Sequence, residues 1–134
     1  MVDLDIKAAQ RLSDSIFKNS LSGLIEMARE DYALLKRLSE KHHGKEDFAL
    51  LQAHGAFALA IVSDWDIAGA YIEDMDNLLQ MHPTSIRIKE KYIHVLQCFL
   101  ATVEMLAKDS VSEETATTIR GEIKRIETGY NIAK

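Results

Sequence analysis

One proline in 134 residues, Pro83, is the feature that most limits what this chain can form. Proline lacks a backbone N–H and breaks a helix interior, so a chain almost free of it can run in long helices. Six glycines add few further breaks. Between the breaks, apolar residues recur at steps of three and four, the spacing of one helix face. No segment alternates apolar and polar residues between turn pairs, as a half-buried strand does. The chain is therefore expected to be all-α, with five or six antiparallel helices in stacked hairpins.

The helices can be placed from these stripes. Leu4, Ala8, Leu12 and Ile16, with Phe17 beside them, mark a helix over about 4–19. Asn19-Ser20 and Ser22-Gly23 weaken the pattern, which leaves open a new helix capped by Ser20 or one kinked helix. Leu21, Leu24, Ile25, Ala28, Tyr32, Leu35 and Leu38 carry a second stripe that stops at His42-His43-Gly44. Glycine is the usual residue just past a helix C-terminus. Glu46 and Asp47 suit the positive end of a third helix. That helix holds Phe48, Leu51, Gly55, Leu59 and Val62, with Ala53, Ala56, Ala58 and Ala60 between them. So many small residues imply close approach by a neighbouring helix.

Asp64 or Asp66 can cap a fourth helix with Ile67, Ala70, Tyr71, Leu78 and Leu79, running to about Met81 before Pro83. Thr84 or Ser85 caps a fifth helix, about 85–108, with Ile86, Ile88, Tyr92, Val95, Leu96, Phe99, Val103 and Leu106 on its face. Ser110 and Glu113 have capping-box spacing for a last helix over about 113–131. Its apolar residues, Ala116, Ile119, Ile123, Ile126 and Tyr130, form a narrow seam. Short turns between long helices force antiparallel neighbours.

Composition fixes the broad class. Hydrophobic residues are 47% and charged residues 28%, the balance of a chain that buries a core. The length suits one domain, residues 1–134, and no linker or low-complexity stretch divides it. A net charge of -5 and a pI near 5.5 oppose nonspecific binding to nucleic acid or to an anionic membrane. No apolar run reaches the roughly 20 residues that span a bilayer. The N-terminus lacks the basic region and apolar run of a secretory signal, so the expected compartment is the cytoplasm. Cys98 is the only cysteine, cannot form an intrachain disulfide, and reads as a buried thiol among Val95, Leu96, Phe99 and Leu100.

The middle hairpin resembles a tetratricopeptide-type repeat. The residues that carry the resemblance are Ala56, Leu59, Asp64-Trp65, Ala68 and Ile72, followed by Pro83. Ala56 and Ala68 have the twelve-residue spacing at which that family packs a small residue of one helix on an alanine of the next. Gly55 departs from it, because the family favours a large apolar residue there. Met75 replaces a usual small residue, and Pro83 comes about three residues late. The resemblance covers residues 50–83, and no second copy appears at the family's period. It implies a scaffold or adaptor that holds a peptide or a partner helix in a groove, without catalysis.

Several side-chain groups are candidates for chemistry. Glu40, His43 and Asp47, with His42 and Glu46 nearby, are the most ligand-like cluster. Glu40 and His43 share a helix face, but a di-iron carboxylate bundle needs a second Glu-x-x-His, which the chain lacks. Glu73, Asp74 and Asp76 form no complete nucleotide-hydrolysing set, because no Glu-x-x-Glu precedes them nearby. His54 and His94 lie in largely apolar helices, and Cys98 follows His94 by one turn without an evident cleft. There is no glycine-rich phosphate loop, zinc-finger spacing or nucleophile elbow.

The expected function is thus a non-enzymatic protein–protein interaction or adaptor module, with no cofactor. The alternative is a small helical-bundle metal-binding protein or nucleotide-processing enzyme that uses the acidic and histidine clusters. The expected partner is another protein or a second copy of the chain, as a homodimer formed through the last helix. Candidate contact residues are the seam of Ile119, Ile123, Ile126 and Tyr130, which alternatively docks on the chain's own core; Trp65 and Tyr71, as exposed anchors or as closers of the hairpin; and the cations Arg87, Lys91 and Lys124, as a solvated face or a site for an acidic partner. Arg120 and Arg125 can extend the cationic set along the last helix.

Overall fold

The computed structural model describes residues 2–63, 65–106 and 110–129. They form six α-helices and no strand: α1 (Val2–Leu21), α2 (Ile25–Lys41), α3 (Glu46–Ile61), α4 (Trp65–Met81), α5 (Ile86–Leu106) and α6 (Ser110–Gly129). Among the described residues no helix is long and apolar enough to cross a membrane.

The turns explain the boundaries. Gly23 has a φ of +79°, a backbone state that costs glycine nothing. Its N–H donates to the Ser20 carbonyl at 3.3 Å, and the Leu24 N–H donates to the Asn19 carbonyl at 2.8 Å. That bond pair is the Schellman arrangement, which satisfies the last carbonyls of a helix. It settles the open question: α1 and α2 are two helices. Gly44, with a φ of +86°, lies just beyond the end of α2. At the other turn, the Ile88 N–H donates to the Ser85 hydroxyl at 3.4 Å, so Ser85 is the residue that caps α5. The helix α6 begins at Ser110, three positions before the expected start. The capping box proposed there rests on the Ser110 side chain, which lies outside the described residues. The capping proposed for Asp64 falls outside the described residues, as does the side chain of Asp66.

Each sequential pair α1–α2, α3–α4 and α5–α6 packs as a hairpin. The hairpins stack because α3 also packs on α1, α2 and α5. The helices α1, α3 and α5 thus make one layer, while α2, α4 and α6 lie outside it. Alanine explains why α3 can sit at the centre. Ala53, Ala56, Ala58 and Ala60 are all buried, together with Phe48, Phe57 and Leu59. A helix that is apolar on nearly every side has to be enclosed. Ala56 and Ala68, the pair with twelve-residue spacing, are both fully buried. At Gly55 the close approach is visible directly: an added Cβ would lie 3.0 Å from Ile16 Cδ1 and 3.3 Å from Leu35 Cδ2.

Polar ties join the outer helices. Tyr32 Oη on α2 donates to Asp74 Oδ2 on α4 at 2.7 Å, and Lys36 Nζ donates to the other oxygen at 3.1 Å. Gln52 Nε2 of α3 completes the network at Tyr32 Oη, at 3.1 Å. Burial, with the Asp74 charge beside it, raises the Tyr32 phenol pKa, so it stays a donor. Asp76 on α4 accepts from Arg125 on α6 at 3.1 Å.

The face of α1 differs from the expected stripe. Ala9, Ser13, Ile16 and Ser20 are buried, whereas Leu4 is 64% exposed. Two of the inward residues are serines, whose small size suits close packing but whose polarity hides the face in the sequence. The hydroxyls of Ser13 and Ser20 are buried without a hydrogen-bond partner among the described residues. An unsatisfied buried hydroxyl costs about 1–3 kcal/mol. Ser13→Ala should therefore raise stability by about 1 kcal/mol, read as a higher urea midpoint with an unchanged slope.

Candidate functional site

The layer of α1, α3 and α5 carries a groove where α3 and α5 meet. Leu50, Leu51 and His54 form one edge, on adjacent turns of α3. Arg87, Glu90, Lys91 and His94 form the other, at the three- and four-residue steps that align side chains along a helix. The groove has a volume of about 440 Å³. A second cavity of about 390 Å³ continues it, lined by Glu46, Asp47, Thr84, Ser85 and Ile86, and shares Leu50 and Arg87 with the first.

Aromatic rings back the two histidines of the groove. The His54 ring stacks on Phe17 of α1, with centroids 5.2 Å apart and planes within 6°. The His94 ring lies 5.0 Å from that of Phe57, and Lys91 Nζ sits 5.4 Å from the Phe57 centroid, within range of a cation–π contact. Phe57 itself is buried, so it holds Lys91 on the groove wall rather than out in solvent. Arg87 is exposed and makes no ion pair or hydrogen bond among the described residues.

The groove thus sets two fixed cations, Arg87 and Lys91, against one carboxylate, Glu90, with two imidazoles beside them. Partial burial, and then the Lys91 charge, push the His54 imidazole below its ordinary pKa, while Asp14 of α1 pulls the other way. An unoccupied groove therefore keeps His54 neutral where an exposed histidine begins to charge. This arrangement is chemically suited to hold an anion with an aliphatic flank. None of its lining residues is a serine, threonine or cysteine nucleophile in the first cavity.

The structure divides the sequence candidates. Arg87 and Lys91 come together in the groove. Lys124 is exposed on α6 and does not line it. Arg125 turns to Asp76 on α4, to Glu122 and to Tyr92 on α5, and does not line the groove. Of the two readings of the α6 seam, the structure shows the one in the core: Ile119, Ile123 and Ile126 are 0%, 9% and 0% exposed, because α6 docks its seam on α5. A partner reaches them only if α6 comes away. Tyr71 is buried rather than an exposed anchor, with its ring edge-on to Tyr32 at 5.2 Å. The side chain of Trp65 and all of Tyr130 lie outside the described residues.

The ligand-like cluster disperses. Glu40, His43 and Asp47 are all exposed, and no group of three or more metal-binding side chains gathers among the described residues. His42 instead stacks on Phe48, centroids 4.2 Å apart, and bonds Asp5 at 2.8 Å. The His42 and Lys41 donors hold the Asp5 carboxyl below the usual carboxylate range. On α4, Asp74 and Asp76 are engaged by Tyr32, Lys36 and Arg125, as structural ties. Cys98 is half-buried on α5 and does not line the groove.

Leu50, Leu51, His54, Glu90 and His94 are the groove residues that sequence reasoning does not join. Their signal is the pair of histidines on otherwise apolar helices. Comparison of the chain with protein-family models, curated proteins and solved structures finds no match.

Proposed function

We propose that this chain is a non-enzymatic interaction module that holds an acidic segment of a partner protein in the groove between α3 and α5. The observation that carries the reading is the placement of Arg87 and Lys91 on one wall of a concave site whose other wall is Leu50 and Leu51. Concave, largely preformed sites with a few convergent polar groups are where ligands bind. Lys91 is positioned by Phe57, so less side-chain freedom is lost when it meets a carboxylate. The stacking of the hairpins supports the same reading, because it displays the groove on a rigid layer of packed helices.

Reversing both charges, Arg87→Glu with Lys91→Glu, tests it. Neither residue is in the core, so the fold should hold and the melting temperature should change little. Two charge pairs at an interface are worth about 1–2 kcal/mol together even when partly solvated, so partner affinity should fall about tenfold or more. The measurement is quantitative affinity capture from the native host, wild type against the double variant. Equal recovery of every specific partner would remove the groove as the contact surface.

A further inference from the structure

We infer that the α3–α5 groove takes up a proton together with its acidic ligand, with His54 as the proton-accepting side chain and Arg87 and Lys91 as fixed cations. This rests on the reading that the groove holds an acidic segment, and adds to it a regulation by pH. The geometry behind it is the placement of His54 inside the cavity, between the groove and Phe17. One face of the ring is covered by Phe17 in a parallel stack, so water cannot solvate an imidazolium on that side. The rest of the ring lines the space that the ligand would fill.

The charges around the ring set the sign. From α5 come Lys91, Arg87, Glu90 and the neighbouring imidazole of His94, all lining the same cavity. From α1 comes Asp14, whose charge favours protonation, while Lys91 opposes it. The other helices packed on α3, α2 and α4, supply none of the charges that act on the ring. Without a ligand carboxylate, burial and Lys91 prevail, and the ring charges only at a lower pH than an exposed imidazole. A ligand carboxylate reverses the balance. It neutralises the field of Lys91 and places a negative charge within a few ångströms of the ring. At such separations an opposite charge favours the protonated ring and raises the imidazole pKa.

A proton is also what the site needs. Glu90 repels an incoming anion, and a charged His54 would give three cations against that one carboxylate. By linkage, a group that gains protons on binding makes the bound state tighter as pH falls. Each unit by which the His54 pKa rises on binding gives up to about tenfold tighter binding at the acid end. Glutamate ligands remain ionised above about pH 5, so the window from pH 8 to pH 6 reports the groove histidines rather than the ligand.

The test uses the full chain and a blocked peptide of alternating glutamate and leucine as the probe. Histidine side-chain NMR signals are followed from pH 8 to pH 5, with and without the peptide, and affinity is measured across the same range. The inference expects the His54 titration to move to higher pH on binding and affinity to rise about tenfold from pH 8 to pH 6. His54→Gln should lose that rise, its affinity at pH 6 staying within about twofold of its own affinity at pH 8. Binding that is sensitive to Arg87→Glu and Lys91→Glu, but independent of pH with an unmoved His54 titration, overturns the inference and leaves the groove reading intact. A shift at His94 alone overturns the assignment to His54. Absence of any groove shift with the peptide, at every pH, overturns both the inference and the reading beneath it.

Discussion

Replacing Ile126 by aspartate should release α6 from the rest of the molecule. Ile126 is fully buried, and α6 packs against α5 alone among the helices. Loss of the buried side chain costs about 2–5 kcal/mol, and an unpaired buried carboxylate adds a penalty of several more. Together these exceed what a helix held on one side can absorb. The polar tie from Arg125 to Asp76 cannot compensate, since an ion pair this exposed is worth at most about 1 kcal/mol. The expected result is a fall in helical circular dichroism approaching the 20 residues of α6, with rapid proteolysis confined to that segment. The neighbouring Lys124→Asp, at an exposed position, should change neither signal. If Ile126→Asp instead leaves stability untouched and only alters association with another molecule, the seam faces a partner and its docking on α5 is wrong.

The second large effect is at Gly55. Helix propensity alone favours replacing a mid-helix glycine, by about 1 kcal/mol for alanine. Here space decides otherwise. A Cβ would meet Ile16 at 3.0 Å, Leu35 at 3.3 Å and Tyr32 at 3.4 Å, from both helices of the first hairpin. Ile16 and Leu35 are fully buried, with little room to withdraw. Gly55→Ala is therefore expected to come out near zero, propensity against crowding. Gly55→Leu has further branches to place and should cost about 3 kcal/mol through forced rotamers and a displaced α3. Urea denaturation of the two variants beside wild type measures both. A leucine variant as stable as wild type would mean that α3 does not approach α1 and α2 this closely. The same contact explains why this position has no room for a large apolar side chain.

The fold is largely legible in the sequence because its punctuation is local. Gly44 and Ser85 sit at their helix ends for reasons of backbone geometry and hydrogen bonding that a sequence displays. Pro83 follows the end of α4 at Met81 for the same kind of reason. The face of α1 is harder to read because close helix approach selects Ser13 and Ser20, which look like solvent-facing residues. For α6 the periodicity at Ile119, Ile123 and Ile126 correctly marks an apolar face, but a stripe carries no information about what covers it. The groove is half-legible. Arg87 and Lys91 declare a cationic face on α5, yet the facing wall comes from α3, with a whole helix between them in the chain. Only the stacking of hairpins brings His54 opposite Lys91.

That stacking has a kinetic consequence. No two packed helices among those described are more than two places apart in chain order. Proteins dominated by such local contacts reach their transition state without closing long loops, and fold in about microseconds to milliseconds. The helix α3 touches four of the other helices and so ties both halves of the chain together. From there order can spread toward both ends of the chain, and neither terminus has to find the other first.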